Sequence, residues 1–301
     1  MLKKLFLYFK NFDWILFSAV LLLISFGLVE IYSVALGQGD ANLLNFKKQV
    51  IFAVVGLALL FFFAFLNFNT LSSLSGYFYI VGAILLSGVL FFGKTIRGTR
   101  GWFSFGGFNL QPVELIKFIL ILFLARYFSD SFTKGRPFKH FLITGAGVLV
   151  FMILVLAQPD FGSALLLFAS WLSLIFIVGF NKKYIISIFL IIAIFSGLAW
   201  GFYFKDYQKE RVSTFLNPSF NPLDQGYNVA QAIIAVGAGG ILGRGIGFGS
   251  QSQLKFLPES QNDFIFAVVC EELGLLGAFL VIFFFIQVCY NLISFIMQIY
   301  P

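Results

Sequence analysis

The stretch WILFSAVLLLISFGLVEIYSVAL, residues 14–36, decides the class of fold. As a helix it would measure about 35 Å at 1.5 Å per residue, enough to cross a hydrocarbon layer about 30 Å thick. Comparable apolar runs recur along the chain, so 60% of its 301 residues are hydrophobic and only 11% are charged. Mean hydropathy is +0.96, whereas a soluble domain carries about 25% charged residues. Such a chain cannot cover its surface with polar groups in water. In lipid, backbone polar groups must be satisfied within helices or closed barrels. The runs are continuous rather than alternating over about 10 residues, which selects helices. The 44 phenylalanines read as lipid-facing and helix-packing bulk.

Working outward, the spacing predicts an all-α polytopic transmembrane helix bundle with spans near 14–36, 50–66, 77–93, 113–129, 141–157, 161–180, 184–204 and 263–290. No soluble domain or linker separates them, so residues 1–301 read as a single membrane domain. The basic N-terminal segment MLKKLFLYFKNFDW is followed by a run longer than the ~7–15 residues of a signal peptide, which points to an uncleaved first span. Cys270 and Cys289 both lie in the last apolar run and imply neither a disulfide framework nor a zinc site.

Lys3, Lys4, Lys10, Arg126, Lys134, Arg136, Lys139, Lys182 and Lys183 all fall on one side if the N-terminus is cytoplasmic. The opposite side is not depleted of cations. Lys94, Arg97 and Arg100 follow span 3, and Lys205, Lys209, Arg211, Arg244 and Lys255 lie in the segment 205–262. Holding an anionic ligand is one use for them; long loops also translocate whatever their charge. The 205–262 segment reads as a large outer loop, too apolar to be disordered, with seven glycines from Gly237 to Gly249. Those glycines do not spell G-x-G-x-x-G in a βαβ context, so no nucleotide-binding loop is indicated, and no nucleic-acid partner is expected.

Ionisable groups in or at the mouths of spans are the site candidates. Glu114 and Lys117, three apart after Gln111-Pro112, can pair on one helix face or place the lysine beside a phosphate. Asp160, after Gln158-Pro159, can cap the next helix or line an outer cavity. Asp263 begins the last run, where a carboxylate suits either a cap or a general base open to water. Glu271 and Glu272 lie deeper and need partners or a polar cavity. His140, the single histidine, is expected at a solvated interface beside Lys139.

Several blocks resemble the SEDS family, the RodA, FtsW and SpoVE type. They are YQKERVSTFLNP from Tyr207, Gly226-Tyr227-Asn228 through Gly239-Gly240, and above all QSQLKFLPESQNDFIFA from Gln251, running on to Glu271-Glu272-Leu273-Gly274. Tyr32-Ser33, the Trp102 loop leading to Gln111-Pro112-Val113-Glu114, and Gln158-Pro159-Asp160-Phe161-Gly162 match in order. The QxQLxFLPE version resembles the RodA side. The resemblance implies a peptidoglycan glycosyltransferase acting on lipid II, for cell elongation and shape, beside a class B penicillin-binding transpeptidase. Its essential outer aspartate falls on Asp263, the arginine of its Arg-Val pair on Arg211, and its Gln-Pro-Ser-Glu motif and following lysine on Gln111, Pro112, Glu114 and Lys117, with Val113 in place of serine. Gly101 stands where the family carries arginine before the tryptophan, with Arg100 one earlier. Asn262 and Gln261 replace Thr and His before the aspartate. The family's ten spans and late Pro-Leu-Pro-x-x-Ser-x-Gly-Gly motif are not reached before Pro301, so the chain is expected to lack the last two spans.

On this basis Asp263 is the expected base for glycosyl transfer from a polyprenyl pyrophosphate donor. Arg100, Lys117 and Arg211 are the expected pyrophosphate contacts, with Lys94, Arg97, Arg244 and Lys255 in reserve. Glu114, Asp160, Gln111 and Glu271 support them. A magnesium or manganese ion could share the pyrophosphate, though the sequence shows no dedicated carboxylate cage. Two other functions fit the same cations or spans: a flippase for the lipid-linked precursor, and a non-catalytic membrane partner of a transpeptidase.

Overall fold

The computed structural model describes residues 12–37, 43–96, 98–106, 108–131, 137–202, 209, 213 and 225–299. In chain order the elements are α1 (Trp14–Gly37), α2 (Leu43–Phe65), α3 (Phe68–Ser73), α4 (Ser75–Phe92), β1 (Lys94–Ile96), β2 (Thr99–Phe105), β3 (Phe108–Leu110), α5 (Pro112–Ser131), α6 (Pro137–Leu156), α7 (Phe161–Val178), α8 (Lys182–Phe202), α9 (Gln225–Gly239), α10 (Ser250–Gln253) and α11 (Ile265–Ile299). They fall into two compact units: a central one, Leu66–Ala199, and a terminal one, Met1–Phe65 with Trp200–Pro301. Among the described residues six helices are long and apolar enough to cross a membrane: α1, α2, α4, α6, α7 and Ile265–Ser294 of α11. α5 and α8 stand at two further places where the sequence predicts spans.

In the central unit the core is written as helical stripes. Val113, Ile116, Leu120, Leu124 and Phe128 of α5 recur at steps of three and four, as do Val148, Phe151 and Val155 of α6 and Ala164, Leu167, Trp171 and Ile175 of α7. The opposite faces carry exposed Phe118, Leu149 and Leu165 and suit lipid. With apolar solvent outside, packing and buried polar links hold such helices together. The Trp171 indole donates to Thr144 Oγ1 at 3.1 Å, and the Tyr79 hydroxyl to the Gly147 carbonyl at 2.7 Å. Each link is worth about 0.6 kcal/mol. α7 ends at Gly179, whose left-handed φ of 80° closes the last turn onto the Ile175 and Phe176 carbonyls.

Three local features depart from the sequence reading. Residues 94–110 form a small antiparallel sheet ordered β1-β2-β3, pairing Lys94 with Trp102 and Phe103 with Leu110. β1 and β3, of three residues each, are too short to show a period of two. His140 is buried at 7% exposure rather than solvated, because it faces inward from α6 and its Nδ1 meets the Tyr127 hydroxyl at 3.0 Å. The third departure is the last apolar run, expected as one span over 263–290. Its helix begins at Ile265 and breaks at Gly274 (φ 68°, ψ −161°).

That break bends the chain back on itself. In a straight helix Phe266 and Ile286 would lie about 30 Å apart, yet both line one apolar cavity of about 540 Å³. Phe266 and the stretch Val281–Ile293 therefore face one cavity across the bend. The backbone groups freed there are taken up by the glycine-rich segment after α9. Arg244 and Gly245 donate N–H to the carbonyls of Glu271 and Glu272 at 3.0 and 2.9 Å; Leu275 and Leu276 donate to Gly240 and Ile241 at 2.9 and 3.3 Å. This exchange is what permits irregular backbone in an apolar segment. Gly243 and Gly274 are glycines because an added Cβ at either would strike the backbone of the other strap.

Candidate functional site

The candidate residues divide between the units, and each set is built by its own elements. In the central unit Pro112 opens α5, fixing its first turn and setting Glu114 and Lys117 on one face. Lys117 Nζ meets Glu114 Oε2 at 2.7 Å, with the lysine 23% and the glutamate 56% exposed. One of three ammonium donors is thus engaged, and among the described residues the other two have no partner. Asp160 caps α7: it accepts from the Ser163 amide at 3.0 Å and the Ser163 hydroxyl at 2.7 Å. Gln111 Nε2 donates to the same carboxylate at 3.2 Å. The Asp160 cap therefore ties the start of α5 to the start of α7.

Arg100 lies on β2 and is largely committed to structure. Its Nε donates to the Gly93 carbonyl at 3.1 Å and one terminal nitrogen to the Phe91 carbonyl at 2.7 Å. A cation on the last carbonyls of α4 satisfies both their lone pairs and the negative end of the helix dipole. Its backbone amide donates to the Gln158 carbonyl at 3.3 Å, joining the hairpin to the α6–α7 turn. Gln158 is itself buried and donates to the Leu86 carbonyl at 3.3 Å. A Cβ at Gly101 would sit 3.2 Å from Gln158 Oε1, so this hairpin lies directly on the turn.

In the terminal unit Asp263 lies in the turn before α11 and is exposed. Its side chain makes no hydrogen bond or ion pair among the described residues, so it does not cap the helix. The turn is held by backbone bonds from Asn262 and Phe264 to the Glu259 carbonyl at 3.0 and 3.3 Å. Asp263 lines a hollow of about 350 Å³ whose other walls are Val229, Ala232, Ile233, Val236, Phe264, Phe266 and Ala267. Among the described residues it is the one ionisable group on that apolar wall.

Below it Glu271 and Glu272 are both fully buried. Glu271 accepts from the amides of Gln251 and Ser252 at 2.8 and 3.1 Å, holding the start of α10. Glu272 accepts from Ser33 Oγ, from Gln253 Nε2 at 3.1 Å and from the Gly247 amide at 3.1 Å. These two carboxylates fasten α1, α10 and the glycine strap to α11. A third carboxylate, Glu30 on α1, is also fully buried and is not among the residues singled out from the sequence. The available signal was a lone carboxylate within an apolar span, which by default marks a site.

Of the reserve cations, Arg244 holds the Ala238 carbonyl at 3.1 Å and Ser250 Oγ at 2.9 Å, Lys94 is exposed on β1, and Lys255 is exposed in a turn of left-handed backbone (φ 62°). Arg211, Arg97 and Lys205 lie outside the described residues. Among the described residues no group of three or more His, Cys, Asp or Glu side chains is placed to hold a metal ion.

Helices of this length and apolarity around buried carboxylates and a bent span define a multi-pass membrane protein. Residues 13–300 match the cell cycle protein family of FtsW, RodA and SpoVE, and the chain belongs to that family. It is 36% identical over 265 residues to a Tolumonas auensis protein named "Probable peptidoglycan glycosyltransferase FtsW", covering 87% of this chain and 68% of that one. It is 40% identical over 213 residues to peptidoglycan glycosyltransferase MrdB of Escherichia coli K12, covering 70% of this chain but 56%, little more than half, of MrdB. A solved structure described as the structural coordination of polymerization and crosslinking by a peptidoglycan synthase complex superposes with a TM-score of 0.75. It shares 28% identity and covers 94% of this chain and 78% of that one.

Proposed function

We propose that the chain is a peptidoglycan glycosyltransferase that polymerises lipid II into glycan strands. The observation that carries this reading is Asp263, an exposed carboxylate without a partner among the described residues, on the wall of an otherwise apolar hollow. An amphiphilic donor needs that juxtaposition: apolar walls for the isoprenoid and a base where the polar head begins. The names of the relatives and the family membership support the same activity.

In the reaction, a sugar hydroxyl of the acceptor attacks the anomeric carbon of the donor. The new C–O bond forms as the bond from that carbon to the pyrophosphate oxygen breaks. The hydroxyl proton passes to Asp263, and the electron pair of the broken bond leaves on the pyrophosphate. Lys117, with two ammonium donors unengaged among the described residues, and Arg211 are the proposed contacts for that charge. Arg100 is the weakest of the three, because its guanidinium already holds two carbonyls. Asp160, Gln111, Glu114 and Glu271 act by positioning. We place the N-terminus in the cytoplasm and the 94–110 sheet and the segment leading to Asp263 on the outer face. A class B penicillin-binding transpeptidase is the proposed partner, by analogy with the synthase complex of similar fold.

Asp263→Asn tests the assignment. It keeps the size of the side chain and removes its basicity. Polymer made by purified protein from labelled lipid II should fall about 10²–10⁴-fold, the usual range for a lost general base, with the melting temperature unchanged. A loss under tenfold in a stable variant removes Asp263 from the mechanism. A flippase would keep moving the lipid-linked precursor in this variant.

A further inference from the structure

Immediately before Asp263 the chain builds a second, polar cavity. It has a volume of about 260 Å³ and is lined by Asn45, Lys255, Leu257, Pro258, Glu259, Ser260, Gln261 and Asn262. At about 30 Å³ per water it would hold some eight waters, or one small polar group. From this cavity we infer a binding subsite for an acetamido sugar, the neutral glycan part of the substrate. The inference rests on the glycosyltransferase reading above and says which part of that substrate is recognised where.

Three features carry it. The first is an unused donor. Asn45 Nδ2 donates to Gln261 Oε1 at 3.0 Å, which fixes the Gln261 amide, while the Nε2 of Gln261 is buried with no hydrogen-bond partner among the described residues. A buried N–H pair left without an acceptor is costly, and a ligand carbonyl or hydroxyl oxygen would satisfy it. The second is the chemistry of the lining. Three amides and a serine stand against one cation and one acid, with Glu259 further engaged by Asn262 Nδ2 at 2.9 Å. That set suits hydroxyl and acetamido groups, whereas a pyrophosphate calls for converging cations.

The third is rigidity. Lys255 and Glu259 are both held in left-handed backbone, φ 62° and 50°, a strained conformation for residues with a side chain that collects at functional sites. What holds them is the floor. Leu257 is 2% exposed and packs with Val34, Ala235, Ala267 and Val268, and its amide donates to the Gln251 carbonyl at 3.0 Å. The cavity is therefore preformed. It adjoins Asp263 in the chain, and the apolar hollow begins at that same residue. Polar pocket, base and apolar wall follow in the order sugar, reacting centre and lipid.

The test is binding to the full chain in detergent, with three ligands: a short polyprenyl pyrophosphate carrying the acetamido disaccharide, the same lipid pyrophosphate without sugar, and a soluble chain of the acetamido sugars. Gln261→Leu and Asn45→Leu remove the amides, and Gln261→Glu keeps the shape of the side chain while replacing the donor. We expect about tenfold weaker binding of a sugar-bearing ligand in each variant, with the sugar-free lipid bound as in the wild type. That unchanged arm shows the variants are folded. A loss on the lipid-linked disaccharide assigns the pocket to the donor; a loss on the soluble chain alone assigns it to the growing strand. Equal affinities in variants and wild type for every sugar-bearing ligand overturn the subsite and leave the glycosyltransferase reading standing. A wild-type chain that binds none of the three overturns both.

Discussion

The two units use their polar residues in opposite ways. In the central unit the named candidate groups are engaged nearby: Asp160 ties the α7 cap to Gln111, Arg100 holds the end of α4, and Glu114 pairs with Lys117 one turn along α5. The terminal unit buries its carboxylates deeper, at Glu271, Glu272 and Glu30, and leaves Asp263 without a partner among the described residues. It also breaks its last long helix and stitches the break with glycines. The contrast shows where strain and desolvation are concentrated: around the segment 239–274 that presents Asp263. A rigid frame of paired groups needs no such arrangement, whereas a free carboxylate held at a fixed place does.

The largest expected effect on stability follows from that. Glu271→Leu should destabilise the protein by about 3 kcal/mol, because the Gln251 and Ser252 amides lose their acceptor inside the protein. Thermal unfolding in detergent measures it. Glu271→Gln, which keeps one acceptor oxygen, should recover part of the loss. If Glu271→Leu melted like the wild type, the terminal unit would not be organised by its buried acids, and the comparison would fail. Asp263→Asn, with no fastening role, should separate cleanly from it by losing activity at unchanged stability.

Much of this architecture is legible in the sequence because hydropathy reports directly on the solvent. The runs at 14–36 and 161–180 gave helices at those places, and the stripe from Val113 to Phe128 shows which face packs. The Asp160 cap is readable from Gln158-Pro159-Asp160, since capping is local. The bend at Gly274 is not readable, because the apolar run continues through it and hydropathy carries no φ. Nor is the link between Asn45 and Gln261, two neutral amides far apart in the chain. Nor does Lys139 report on the exposure of His140, since side chains adjacent in a helix point about 100° apart and His140 faces inward. Glu30 could have been found from its position alone.

In the central unit the effects should be smaller and graded. Asp160→Ala removes the cap on α7 and the acceptor for Gln111, and should cost about 1 kcal/mol. Asp160→Asn should recover most of it, since asparagine caps nearly as well. Melting temperatures of the two variants give the comparison directly. A cost above about 3 kcal/mol for the alanine variant would mean the central unit is as strained as the terminal one.

The smallest stability effect should come from Glu114 and Lys117, and for that reason the pair discriminates best between frame and chemistry. The ion pair is partly exposed, and pairs of this kind contribute about 0–1 kcal/mol. Glu114→Gln and Lys117→Ala should therefore melt within a degree or two of the wild type. If Lys117 serves only the frame, polymerisation should follow stability and barely change in either variant. If it contacts the departing pyrophosphate, Lys117→Ala should lose about 10²–10³-fold in turnover, the effect of removing one preorganised donor from a developing anion. Glu114→Gln should then lose less, because it releases the ammonium without removing it. Equal and small losses in both variants would return the pair to the frame and leave the charge of the leaving group to Arg211.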